Sequence, residues 1–155
     1  MFHIVLLEPE IPHNTGNIIR TCAATDSQLH LVRPLGFSLE DRHLRRAGLD
    51  YLDLVQIKVW DTYDDLVEAY AQQRRFFATT KGSKIYTQFQ YQSGDMLVFG
   101  KETQGLPAAL IQDNIHQCLR IPMSHSTHSR SLNLSNAVAI VLFEALRQTG
   151  FVNLE

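Results

Sequence analysis

Apolar positions along the chain gather into short runs rich in β-branched and aromatic side chains, each bounded by Gly, Pro or polar clusters. FHIVLL (2–7), LHLVR (29–33), LVQIKVW (54–60), RFFATT (75–80), MLVFG (96–100) and CLRIP (118–122) predict strands. Between them the apolar spacing predicts helices over 15–25, 39–47, 61–75 and 107–115, with a last one over 134–150. This alternation argues for an α/β fold with a mostly parallel sheet and flanking helices, because parallel neighbours need crossover connections that helices supply. No repeat, low-complexity tract or linker interrupts the pattern, so 1–155 reads as a single domain. The final helix is apolar around most of its circumference, with only Asn136, Glu144, Arg147 and Gln148 forming a polar strip. It must be covered on more than one side, which either a core position or a homodimer face would achieve.

Composition narrows the function classes. Hydrophobic residues make up 45% and charged residues 19% of the 155, which suits an ordinary globule rather than a disordered chain or a coiled coil. No apolar run approaches the ~20 residues of a membrane span, and the opening MFHIVLLEPE lacks a basic leader and meets Glu8 early, so the expectation is a cytoplasmic protein. Cys22 and Cys118 lie far apart and lack metal-ligand spacing, which is simplest as two free thiols in a reducing compartment. A net charge of -2 excludes a generic phosphate-coating protein, so any RNA binding must be local. The basic clusters are Arg42, His43, Arg45 and Arg46; Arg74 and Arg75; and His125, His128 and Arg130. Each taken alone reads first as a solvated face.

In an open parallel sheet, ligands gather outside the carboxyl ends of the strands. The loops predicted there are EPEIPHNTGNIIRT, TTKGS, GKETQGLP and PMSHSTHSRSLNLSN, all rich in Gly, Pro and small polar residues. Gly100 and Gly105 have Walker A spacing, but Leu106 and Pro107 stand where Lys and Ser or Thr would meet phosphate and magnesium. The chain also lacks GxGxxG after the first strand, a GxSxG elbow and an HExxH helix. His125 and His128 supply neither a third zinc ligand nor an oriented nucleophile and base, so no metal site is expected.

Asn14 and Thr15 sit where a helix begins and read as a cap or as ligand contacts; Arg20, about one and a half turns on, can reach over the sheet edge. Glu102, in a glycine-bounded turn, is either a solvated carboxylate or the anchor of a loop or an arginine. Asn133 or Ser135 can cap the last helix, within a polar string that also holds Arg130, Ser131 and Asn136.

Taken together, NTGNIIRT (14–21), LVFGKETQGLP (97–107) and IPM (121–123) followed by RSLNLSNAVAI (130–140) resemble the three motifs of the SPOUT class of RNA methyltransferases. Over essentially the whole chain, including IVLLEPEIPHNTGNI (4–18) and HLRRAGLD (43–50), the sequence is similar to the minimal TrmL (YibK) family of tRNA 2′-O-methyltransferases. It departs from that family in a longer, histidine-rich loop at 124–129, and in Lys101 and Gln104, where some members have Pro and Arg.

The resemblance implies a C-terminal trefoil knot, a homodimer whose two subunits complete each site, and S-adenosyl-L-methionine as methyl donor without a metal. The implied reaction methylates the ribose of the wobble nucleotide, cytidine or modified uridine, notably in leucine tRNAs. The dimer surface would grip the anticodon stem-loop. The implied cofactor contacts are Ala78, Thr79, Gly100, Ile121, Met123, Ser131 and Leu132. The implied polar active-site positions are Asn14, Arg20, Glu102, Ser131 and Asn133, with Arg20 positioning RNA and stabilising charge on the oxygen while Ser131 and Asn133 orient phosphate or ribose. Two other readings remain: a catalytically inactive knotted RNA-binding or regulatory module, and a flavodoxin-like small-molecule binder.

Overall fold

β1 (His3–Leu7) is buried at all five positions, as befits a strand with helices over both of its faces. Ile4 and Leu6 share a core with Ile18, Ile19 and Cys22 of α1 (Pro12–Ala24) and with Val138, Val141 and Leu142 of α4 (Leu134–Gln148). Val5 and Leu7 point the other way, into a second core with Leu66 of α2 (Tyr63–Ala69) and Ile111 of α3 (Ala108–Asp113). Each fully buried Leu or Ile contributes about 1.5–3 kcal/mol, so this alternation alone fixes the register of the strand.

The remaining strands of this computed structural model are β2 (Gln28–Val32), β3 (Ile57–Trp60), β4 (Arg75–Ala78), β5 (Lys84–Ile85), β6 (Met96–Phe99) and β7 (Cys118–Arg120). Its description covers residues 1–40, 42, 44, 55–124, 131–152 and 154–155. The strands form one seven-stranded sheet in the order β3-β2-β1-β6-β4-β7-β5, and every pair in it is parallel. The mostly parallel α/β sheet with flanking helices is therefore as the alternation of elements implies.

The boundaries differ where tertiary contacts override local pattern. The helix expected over 61–75 starts on a Thr62–Asp65 capping box and ends at Ala69. Tyr70 leaves the helix so that its hydroxyl can donate to Gln28 Oε1 (2.9 Å), while Arg75 Nη1 donates to the Tyr70 carbonyl that the helix end exposes. The first helix begins at Pro12 rather than residue 15, because proline's missing N–H costs nothing in the first turn. β3 begins at Ile57, not at 54, and two-residue β5 is too short to register as an alternating pattern. Of the helix expected over 39–47, Arg42 and Leu44 are helical. His43, Arg45 and Arg46, most of HLRRAGLD, and the loop carrying His125, His128 and Arg130 lie outside the described residues.

Arg74 and Arg75, read as a solvated basic cluster, are both engaged. Arg74 makes a two-pronged pair with Asp95 (Nε to Oδ1 2.8 Å, Nη2 to Oδ2 2.6 Å), whose side chain is almost fully buried. Both cysteines are buried free thiols, and burial raises the Cys22 thiol to about 12.

Candidate active site

Beyond the C-terminal ends of β4, β6 and β7, loops from distant parts of the sequence enclose a cleft of about 520 Å³, within the roughly 300–1,000 Å³ of small-molecule sites. Ala78, Thr79, Gly100, Ile121, Met123, Ser131 and Leu132 all line it, as do Asn14, Glu102 and Asn133. Arg20 does not: it stands exposed on α1, outside the cleft lining.

Glu102 anchors a loop. Its Oε2 accepts from the Glu10 amide (2.8 Å), and its Oε1 accepts from the Ile11 amide (3.1 Å) and from Asn14 Nδ2 (3.1 Å). No side chain of its own first turn caps α1, so Asn14 and Thr15 are not its cap; the anionic partner at that end comes from the β6–α3 loop instead. Glu10 returns the contact, since its carboxylate accepts from the Thr103 amide (3.1 Å) and the Thr103 hydroxyl (2.8 Å). Lys101 adds an ion pair to Glu8 at 2.7 Å. Two loops are thus clasped by acidic side chains reaching both ways.

The clasp continues to the last helix. Asn133 Nδ2 donates to Asn14 Oδ1 (2.9 Å), while Asn133 Oδ1 caps α4 by accepting from the Ser135 amide (2.9 Å) and Ser135 hydroxyl (2.6 Å). Of the two capping candidates in the sequence, Asn133 is the cap. Glu102, Asn14 and Asn133 therefore form one hydrogen-bonded line joining the three motif segments.

Glycine shapes the cleft floor. At Gly100 a Cβ would overlap the backbone of Gly105 and Leu106, and Gly105 closes its turn at φ +69 with its amide on the Lys101 carbonyl (2.8 Å). Phe99, Leu106, Leu119, Ile121, Leu134 and Ala137 supply apolar walls, and loop backbone with Thr79 and Ser131 supplies polar edges. Apolar walls with a few polar groups at the edge are the lining of a small-molecule site.

The sequence reading missed Glu10, Lys81 and Thr103, and singled out Lys101 only as a departure from the family pattern. Glu10 and Thr103 carry no motif by themselves; their roles exist only once the two loops meet. It also missed a buried polar cluster away from the cleft. His3 Nδ1 and His30 Nε2 lie 3.0 Å apart, and Trp60 Nε1 donates to His30 Nδ1 (3.1 Å). Since His30 Nδ1 accepts, its Nε2 carries the proton and donates to His3, so both rings are neutral. Burial, with neighbouring positive charge, lowers the pKa of both, that of His30 to about 3.

Comparison with known proteins agrees with the geometry. Residues 1–143 match the model of the SpoU rRNA Methylase family. The tRNA (cytidine(34)-2′-O)-methyltransferase of Escherichia coli (strain K12) is 50% identical over 152 residues, covering 97% of this chain and 96% of that protein. A solved structure described as giving insights into the 2-OH methylation of C/U34 on tRNA superposes with a TM-score of 0.91 at 41% identity, covering 97% of each chain. The SpoU methyltransferase AviRb from Streptomyces viridochromogenes, solved in complex with the cofactor AdoMet, gives a TM-score of 0.79 at 26% identity over 95% of this chain and 60% of that one. By the extent of the family match and by these identities, the chain belongs to the SpoU rRNA Methylase family.

Proposed function

We propose that this protein transfers a methyl group from S-adenosyl-L-methionine to the ribose 2′-hydroxyl of the wobble nucleotide of tRNA, position 34, a cytidine or modified uridine, with leucine tRNAs as substrates. The observation that carries this reading is the convergence of all three motif segments on one cleft, lined by Ala78, Thr79, Gly100, Ile121, Met123, Ser131 and Leu132. The half-identical relatives named for that reaction support it.

S-adenosylmethionine, when bound, supplies a methyl group already activated by its sulfonium. The chain's task is to align the ribose oxygen with that methyl and to accommodate the charge that develops as the hydroxyl loses its proton. Ser131, exposed at the cleft, is assigned to hydrogen bonding with ribose or phosphate. Asn133, Asn14 and Glu102 have their side chains committed to one another and to helix starts, so their role is to hold the frame. Arg20, outside the cleft of its own chain, is assigned to a site completed across a homodimer, where its guanidinium offsets negative charge on the oxygen.

Phe143 stands 48% accessible on α4, a helix that is apolar around most of its circumference apart from the strip Asn136, Glu144, Arg147 and Gln148, which supports such a homodimer. The single domain 1–155 is assigned a C-terminal trefoil knot on the strength of its family. The substrate contact is the anticodon stem-loop, and the compartment is the cytoplasm.

Mass-spectrometric mapping of ribose methylation on anticodon fragments, from cells with and without the protein, tests reaction and position together. Methylation at position 34 is expected to vanish without it; an unchanged map defeats the reading. With purified protein, Arg20→Ala is expected to lower turnover about 100-fold while S-adenosylhomocysteine still binds.

A further inference from the structure

Most of the charged side chains around the cleft are held by partners within the fold. Glu8 is paired with Lys101, Glu10 holds Thr103, and Glu102 holds the start of α1 and Asn14. Among the described residues, the two cationic side chains lining the cleft are Lys101 and Lys81. Lys101 is neutralised by Glu8, whereas none of the ion pairs among the described residues involves Lys81.

Lys81 is exposed, yet the backbone carrying it is pinned. The Thr79 amide donates to the Leu119 carbonyl (2.9 Å), the Lys81 amide to Thr79 Oγ1 (3.2 Å), and the Gly82 amide to the Thr79 carbonyl (3.2 Å). Gly82 lies so close to β7 that a Cβ would come within 2.6 Å of the Leu119 carbonyl carbon. The loop therefore presents at the cleft, from a hydrogen-bonded base, an ammonium with no ion-pair partner among the described residues, which reduces the ordering cost of using it. A second lysine, Lys84, follows on the edge strand β5, its ammonium 5.5 Å from the centre of the Phe89 ring.

We propose that Lys81 is a positioning residue that holds a backbone phosphate of the RNA beside the target ribose. This rests on the tRNA methylation proposed above. An ammonium serves as a point charge for one phosphate and tolerates any base, so the contact fixes register without reading sequence.

The test uses full-length Lys81→Ala and Lys81→Arg with unmodified tRNA. Expected for Lys81→Ala are a KM for tRNA raised about fivefold, a kcat within about twofold, and a log–log salt dependence of tRNA binding shallower by about 0.7–0.9. Lys81→Arg is expected to restore both KM and slope. S-adenosylhomocysteine affinity, measured by calorimetry, is expected to be the same in all three proteins. An unchanged KM and salt slope overturns the proposal, and so does a selective loss of S-adenosylhomocysteine affinity, which would give Lys81 to the carboxylate of the cofactor's amino-acid arm. If the wild type itself neither binds nor methylates tRNA, the reading of the whole cleft falls; if it does both, only the role of Lys81 is at stake.

Discussion

Asn133 donates from Nδ2 to Asn14 Oδ1 across 2.9 Å, joining residues 119 positions apart, while its Oδ1 caps α4. One side chain thus serves both a helix start and an inter-motif contact. Asn133→Ala removes both and is expected to cost about 1–2 kcal/mol, the range of a lost N-cap. Asn133→Ser keeps a capping oxygen but not the reach to Asn14, and is expected to recover most of the stability. Urea unfolding of both variants checks this; equal losses would show that the cap is not what Asn133 contributes.

Glu102 has three donors to satisfy, two of them backbone amides. Glu102→Ala leaves them without an acceptor and is expected to cost about 1–3 kcal/mol, together with at least a tenfold drop in kcat/KM as the start of α1 shifts. Glu10→Gln, which keeps one acceptor for Thr103, is expected to be milder in both measures. A Glu102→Ala enzyme with wild-type stability would mean that the clasp does not hold α1.

Gly100→Ala puts a methyl group into the backbone of Gly105 and Leu106. Neither neighbour is a flexible side chain, so the turn must open, at the upper end of the about 1–3 kcal/mol usual for overpacking. Calorimetry of S-adenosylhomocysteine binding is expected to show the heat lost or strongly reduced. Unaltered binding would place the ligand elsewhere.

The histidine cluster makes stability fall with acid. Both folded-state pKa values lie below the unfolded value of about 6.5, so the unfolded chain takes up more protons as the pH drops. The contribution is complete above about pH 6.5 and is lost progressively towards about pH 3, where His30 titrates in the fold. Beyond burial, the chain's amino group and Lys58 oppose protonation of His3 while a hydrogen bond with Gln28 favours it, His3 and Lys58 oppose protonation of His30, and Tyr70 packs against both rings. His30→Leu is expected to unfold more easily at pH 7, because Trp60 and His3 lose their partner, but with a shallower stability slope between about pH 6.5 and 4. Parallel slopes for variant and wild type would contradict this assignment.

What the sequence made legible was whatever repeats at short range. The buried runs around Ile4, Leu31 and Val98 declared strands because β-branched and aliphatic residues bounded by turns have few other uses. The loops of the cleft were legible through their glycines and their ordered motifs. Glu102 was legible as a candidate loop anchor, but its partners were not, because they lie 92, 91 and 88 positions away and two of them are main-chain amides that no side-chain pattern announces. Nor was His30 readable as part of a cluster, since its neighbours come from β1, β3 and the end of α2. The end of α2 was misplaced because Tyr70 exchanges helical geometry for a hydroxyl contact to Gln28.

The first strand has consequences for how the chain is made. β1 leaves the ribosome early and finds β2 soon after, yet its other edge pairs with β6, where Ile4 stands opposite Leu97. Until that late segment emerges, an apolar edge stays open and closing it demands a long, slow loop. Nascent chains stalled short of β6 should therefore be the ones that chaperones hold.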